Sequence, residues 1–173
     1  MTPGPSPTAV ASPLAAHGAQ SMTATLRDVL VQRPGAAFGA AFTNPAHGFL
    51  HPVDLELARR EHDAFTGLLA RLGVRVHELG AVGTRHPDLV YAFDPLLVTD
   101  RGSIALRSGK PTRRGEEAEI EAWLTARSVP TLGRIAAPGT VDGGDTFWLR
   151  PDLLCVGRTL RTNGEGVRQL ASL

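Results

Sequence analysis

Apolar positions recur along this chain with two periods, and the switches between them mark out the elements. From Asp54 onward, Leu55, Leu57, Ala58, Ala64, Phe65, Leu68, Leu69 and Leu72 follow helical spacing, with Asp54 placed to cap the first turn and Gly73 to close the last. Shorter apolar runs at 27–31, 74–79, 89–93, 96–99 and 104–106 read as strands. Pro34-Gly35 ends the first of these, the stretch holding Pro45, Gly48 and Pro52 is a loop, and Arg101-Gly102 makes a tight turn between the last two. A second helix is expected over about 115–127. Residues 1–21 follow neither period. Pro3, Pro5, Pro7 and Pro13 stand there among Ala, Ser and Thr, too little apolar area to offset the entropy of ordering, so this tail is expected to be disordered and the folded domain to occupy 22–173.

The pattern then recurs. Asp94 precedes an apolar strand, a turn at Asp100-Arg101-Gly102, a second strand, Gly109, Arg113 and a helix with Glu116 in its first turn. Asp145 precedes the strand 147–149, a turn at Arg150-Pro151-Asp152, the strand 153–156, Gly157, Arg161 and a helix with Glu165 near its start. The two arginines lie ~50 residues apart, a period that belongs to repeat architectures rather than to a single hairpin. A small sheet with one helix cannot cover its own apolar face, so such units pack together, around an axis or along a stack. In a ring, Asp94 and Asp145 converge on a common centre, as do Arg113 and Arg161. The fold class is therefore α/β, built of repeated sheet-plus-helix units, and the first expectation is that both arginines reach one cleft.

Composition limits what such a domain does. A chain of 173 residues buries one ordinary core. Lys plus Arg number 18 against 17 Asp plus Glu, a net charge of +1, and that balance leaves no electrostatic footprint for nucleic acid. No apolar run approaches the ~18 residues of a membrane span, and no Lys or Arg precedes Arg27 to open a secretory signal. The single cysteine, Cys155, excludes an internal disulfide and fits a reducing, cytoplasmic setting.

Two stretches carry candidate chemistry. In Asp142-Gly143-Gly144-Asp145 a pair of carboxylates flanks a glycine pair that lets backbone approach something closely. Arg161 then stands at the mouth of the last helix, where a bound anion would meet aligned N–H groups. Together they suit a ligand bearing both charges. Each also has a plain structural use: the Gly and Asp residues as turn formers, and Arg113 and Arg114 as a solvated cluster with Glu116 and Glu117. Cys155 sits in the apolar run Leu153-Leu154-Cys155-Val156, where a thiol is packed and unreactive. His47 and His51 flank a loop expected to lie over the site, and no Cys, His and Asp grouping has metal-binding spacing.

The runs His86-Pro87-Asp88-Leu89-Val90-Tyr91-Ala92-Phe93-Asp94, Lys110-Pro111-Thr112-Arg113-Arg114-Gly115-Glu116, Asp142-Gly143-Gly144-Asp145 and Arg161-Thr162-Asn163 resemble, in order and spacing, the dimethylarginine dimethylaminohydrolases of the guanidino-modifying superfamily. That superfamily also holds arginine deiminases and amidinotransferases. The resemblance covers residues from about 29 to the C-terminus and implies a five-bladed α/β-propeller, the pentein fold, of which this sequence would supply roughly three blades. It implies that Asp88 and Asp94 bind a substrate guanidinium, that Arg113 and Arg161 hold the substrate's amino-acid carboxylate, and that Asp142 orients a catalytic histidine. The geometry of paired charge-assisted hydrogen bonds suits both assignments. The implied ligand is a small guanidino compound such as arginine or a methylated arginine, with no cofactor and no metal.

This sequence departs from that pattern in two places. Phe93 stands where the hydrolases have Glu, replacing one guanidinium anchor by an apolar ring. The superfamily's catalytic His and nucleophilic Cys lie beyond the Arg-Thr-Asn segment, and the sequence given stops at Leu173. The expectation is a guanidino-group hydrolase or amidinotransferase family chain that is inactive alone and that self-associates or is completed by a C-terminal half. A non-catalytic binding module for arginine-like ligands and a truncated product without function are the alternatives.

Overall fold

In the computed structural model, residues 13–14 and 16–173 are described, 82–84 by their backbone alone. Strands β1 (Asp28–Val31) and β2 (Arg75–Glu78) pair in parallel. A parallel pair needs a long crossover, and here it runs through α1 (Ala36–Ala40), two 3-10 turns and α2 (Leu55–Arg71). The Asp54 carboxylate accepts the Leu57 N–H at 2.9 Å, and Gly73 takes a φ of +84° just past the helix end, as the spacing implies.

The second sheet holds β3 (Leu96–Thr99), β4 (Gly102–Ala105) and β5 (Thr131–Arg134). β3 and β4 form an antiparallel hairpin, after which α3 (Glu116–Thr125) crosses back to set β5 parallel to β4. Gly102 at the hairpin turn has a φ of +148°, and a Cβ there would stand 2.4 Å from the Pro130 carbonyl oxygen, so only glycine fits. The third sheet is the antiparallel hairpin of β6 (Thr146–Arg150) and β7 (Leu153–Val156), followed by α4 (Gly164–Leu170). The order of hairpin, arginine and helix thus occurs twice, in separate sheets.

Strand β3 joins the halves of the core. Its successive side chains point to opposite faces: Leu96 packs with Leu79, Leu89, Ile120 and Leu124, while Leu97 packs with Ile104, Leu106, Ile135, Val141 and Leu170. An unbroken apolar run suits a strand covered on both sides. Leu154 and Val156 of β7 lie against the second cluster, which ties the third sheet to the second.

Two local expectations are corrected. Residues 89–93 are not a strand: Pro87–Val90 is a 3-10 turn, and the Asp88 and Tyr91 carbonyls are taken by the Arg113 guanidinium rather than by a neighbouring strand. The loop before Asp54 contains α1, and β5 arises from Thr-Leu-Gly-Arg, too short and too mixed to show a period. The expected disordered tail falls partly on residues outside the description. Of its described residues, Leu14 packs on the first core cluster and Ala19 donates its N–H to the Val98 carbonyl at 3.0 Å along the edge of β3. Among the described residues no helix is long and apolar enough to cross a membrane.

Candidate functional site

Asp88 and Asp94 are set by one irregular stretch that Leu89, wholly buried, nails to the core. Asp88 lies in the Pro87–Val90 turn and is itself buried. Asp94 follows a bend closed by its own N–H to the Tyr91 carbonyl at 3.1 Å. The acidic Gly-Gly turn docks onto it: the Gly143 N–H donates to the Asp94 carbonyl at 2.8 Å and the Gly144 N–H to Asp94 Oδ1 at 3.0 Å. A Cβ on Gly143 would lie 2.2 Å from the Phe93 carbonyl oxygen. What the glycines bring close is therefore the chain's own backbone, which fixes where Asp94 points.

Arg113 arrives on the 3-10 turn Pro111–Arg113 and is 2% exposed. Its Nε donates to Glu116 Oε2 at 2.9 Å and its Nη2 lies 2.7 Å from the same oxygen, while Nη1 pairs with Asp94 Oδ2. This is no solvated cluster, because Glu116 is wholly buried. Burial pushes the Glu116 carboxyl up from 4.5 to about 7, against the pull of the Arg113 charge. Among the described residues Glu116 Oε1 has no hydrogen-bond partner.

Arg161 differs sharply. Its side chain is 48% exposed, with Nη1 3.0 Å from Asp142 Oδ2. Asp142 is buried, and its other oxygen accepts the Gly109 N–H at 3.1 Å. The neighbours of Arg161 are stitching rather than binding groups. The Thr162 hydroxyl donates to Asp145 Oδ2 at 2.6 Å and accepts the Asp142 N–H at 3.1 Å. Asn163 caps α4 through the Gly166 N–H. Asp145, bonded also to the Thr159 hydroxyl at 2.7 Å, is held by these threonines.

These groups meet at a cavity of about 540 Å³ lined by Asp88, Asp94, Arg113, Arg161, Lys110 and His47 among others. An adjoining depression of about 420 Å³ shares Asp94 and Arg161 and adds Asp142 and Asp145. Both arginines thus reach one cleft, as the repeat implies. Lys110 also reaches this cavity, beyond the residues expected there. Its Nζ donates to Asp88 Oδ2 and to the His47 carbonyl, each at 2.6 Å, so the loop of His47 forms one wall while His51 lines neither depression. Lys110 is the only lysine in the sequence, all other members of the 18 Lys plus Arg being arginines, and that singularity was the available signal.

The site does not gather every candidate. Cys155 pairs with Phe147 across the third sheet, is partly exposed rather than packed away, and lines neither depression. Phe93 is half exposed and lines neither. His77 sits in β2 with Nε2 3.0 Å from Asp28 Oδ1 and its ring edge-on to Trp123. Among the described residues no group of His, Cys, Asp and Glu is arranged to hold a metal ion.

No family model matches the chain. It is similar to the dimethylarginine dimethylaminohydrolase of Pseudomonas aeruginosa, 36% identical over 120 residues, which are 69% of this chain and 46% of that protein. The enzyme of the same name from Streptomyces coelicolor is 32% identical over 144 residues, 83% of this chain and 54% of that one. Among solved structures, the Pseudomonas aeruginosa hydrolase, as a cysteine-to-serine mutant complexed with citrulline, superposes with a TM-score of 0.71 at 31% identity over 85% of this chain and 56% of its own. An amidinotransferase of saxitoxin biosynthesis from Microseira wollei shares the fold, with a TM-score of 0.65 at 16% identity over 85% of this chain and 56% of its own. The chain spans about half the length of the curated relatives it matches. It is a dimethylarginine dimethylaminohydrolase-like member of the guanidino-modifying superfamily.

Proposed function

We propose that the cavity binds a guanidino amino acid, arginine or a methylated arginine, as the substrate-holding part of a cytoplasmic Cys-His guanidino hydrolase or amidinotransferase, and that the three sheets are units of an α/β-propeller. One observation carries this reading: two carboxylates and two arginines, from separate parts of the sequence, line a single cavity of about 540 Å³. Asp88 and Asp94 face the ligand's guanidinium, through the parallel charge-assisted hydrogen bonds that a planar cation makes with carboxylates. At the other end Arg161, with its exposed guanidinium, takes the α-carboxylate. Arg113 lines the same cavity with its guanidinium taken up by Glu116 and Asp94, so it holds Asp94 in place. Asp142, buried between Gly109 and Arg161, is the group that would orient a catalytic histidine.

The covalent route requires a thiolate to attack the guanidinium carbon and a histidine to protonate the departing amine, then activate water. Cys155 does not line the cavity, so this chain orients the ligand and the reacting pair comes from elsewhere. Calorimetric titration with arginine and with agmatine, which lacks the carboxylate, tests the reading. Arginine is expected to bind roughly tenfold or more tightly than agmatine, the worth of one charged contact of ~1.5–3 kcal/mol, and Arg161→Gln is expected to erase the difference. Equal affinities in the unmodified chain would exclude the carboxylate role of Arg161.

A further inference from the structure

Under that reading Asp88 is one of two anchors for a cationic head group, yet the protein has already given it a cation. Lys110 Nζ lies 2.6 Å from Asp88 Oδ2, with the Asp88 side chain 7% exposed and that of Lys110 21% exposed. The backbone behind this lysine is firmly set. The Lys110 N–H donates to the Ser108 hydroxyl at 3.1 Å and its carbonyl accepts the Arg113 N–H at 3.0 Å. The preceding Gly109 leaves no room for a Cβ, which would stand 2.3 Å from the Arg161 carbonyl oxygen. From this base a flexible four-carbon stem delivers a compact charge into the cavity. An arginine fork, used at every other basic position of the chain, would fill more of it and move less freely.

We propose that Lys110 is the specificity-determining residue of this cavity: its ammonium occupies the guanidinium side of Asp88, so a cationic ligand binds there only by displacing it. The proposal rests on the guanidino-site reading and sharpens it. A guanidinium must compete with a tethered cation for the same carboxylate oxygen. A neutral ureido group, as in citrulline, meets no such competition, since its carbonyl oxygen accepts from the ammonium while the lysine stays in place. Lys110 therefore tilts the cavity toward amino acids with a neutral polar head and away from those with a cationic one.

The test is the ratio of arginine affinity to citrulline affinity, measured by calorimetry for the unmodified chain, for Lys110→Met and for Lys110→Gln, whose amide still donates without charge. Removing the competitor is expected to raise that ratio about tenfold or more in both variants. In the unmodified chain labelled with 13C-lysine, which yields a single side-chain spin system, arginine is expected to shift the Lys110 Cε signal more than citrulline does. A chain that binds arginine with an unmoved Lys110 signal, and whose ratio is unchanged or lower in both variants, overturns the role of Lys110 and leaves the guanidino reading standing. Failure of all three proteins to bind either ligand overturns that reading and this inference together.

Discussion

At the scale of single residues, the site is a set of charges, some buried and some exposed, that hold one another in place. Arg113 is the extreme case. Truncation to alanine would take from Asp94 its ion-pair partner and from the buried Glu116 its hydrogen-bond donor, and removal of one partner of a buried pair costs ~3–5 kcal/mol. Arg113→Ala is therefore expected to lower the urea midpoint severely, and the exposed Arg161→Gln to lower it less, because its buried partner Asp142 keeps the Gly109 N–H. Comparable midpoints for the two variants would contradict the burial argument. Glu116 adds a pH dependence whose sign follows from its raised value. Between pH 4.5 and about 7 the folded state keeps a proton on Glu116 that the unfolded chain has lost. The folded state thus binds more protons in that window, and stability falls as pH rises through it. In Glu116→Gln this contribution is expected to vanish, flattening the curve of unfolding free energy against pH between 5 and 7. A slope as steep as in the unmodified chain would assign the titration to another group. The four cavity-lining residues Asp88, Asp94, Arg113 and Arg161 were legible in the sequence because their motifs occur in order. The burial of Glu116 was not, since a glutamate in the first turn of a helix looks the same whether it faces water or an arginine.

At the scale of elements, legibility followed length and period. Helix α2, with seventeen residues, a capping aspartate and a closing glycine, was plain in the sequence, and so were the hairpins flanking tight turns. The stretch 89–93 misled because apolar residues there are held by Leu89 in the core and by Arg113 on the Asp88 and Tyr91 carbonyls, a tertiary arrangement that leaves no local trace. The Arg161-Thr162-Asn163 run shows how one motif divides its labour. Arginine faces the cavity, while Asn163 caps α4, accepts the Thr140 N–H at 3.1 Å and donates to the Pro138 carbonyl at 2.9 Å. Loss of a cap costs ~0.5–2 kcal/mol. Asn163→Ala is expected to destabilise the chain by about that amount with arginine affinity changed less than by Arg161→Gln. A larger loss of affinity than in Arg161→Gln would make Asn163 a ligand contact.

At the scale of the whole molecule, three small sheets share cores through β3, and apolar side chains remain on the outside. Phe147, Leu149 and Leu153 of the third sheet are exposed, as are Phe65, Leu68 and Leu72 at the end of α2. Apolar surface of this kind favours association, so sedimentation velocity is expected to show concentration-dependent oligomers. A monomer across the whole concentration range would contradict that. Turnover is a separate matter. Orientation without a nucleophile in line supplies only part of catalysis, and the purified chain is expected to release no citrulline from arginine or methylated arginine. Citrulline formation that disappears in a folded Cys155→Ser variant would place the reactive thiol in β7 and overturn this account of the chemistry.

The cavity between the acid turn and the Arg161 loop is proposed to hold a guanidino amino acid head first. A structure of the chain in complex with arginine measures this directly. The guanidinium is expected within hydrogen-bond distance of Asp88 and Asp94, with the Lys110 ammonium moved off Asp88 Oδ2 and the α-carboxylate on Arg161. Arginine bound in the reverse sense, or seated outside the cavity with the Lys110 to Asp88 pair intact, would contradict it.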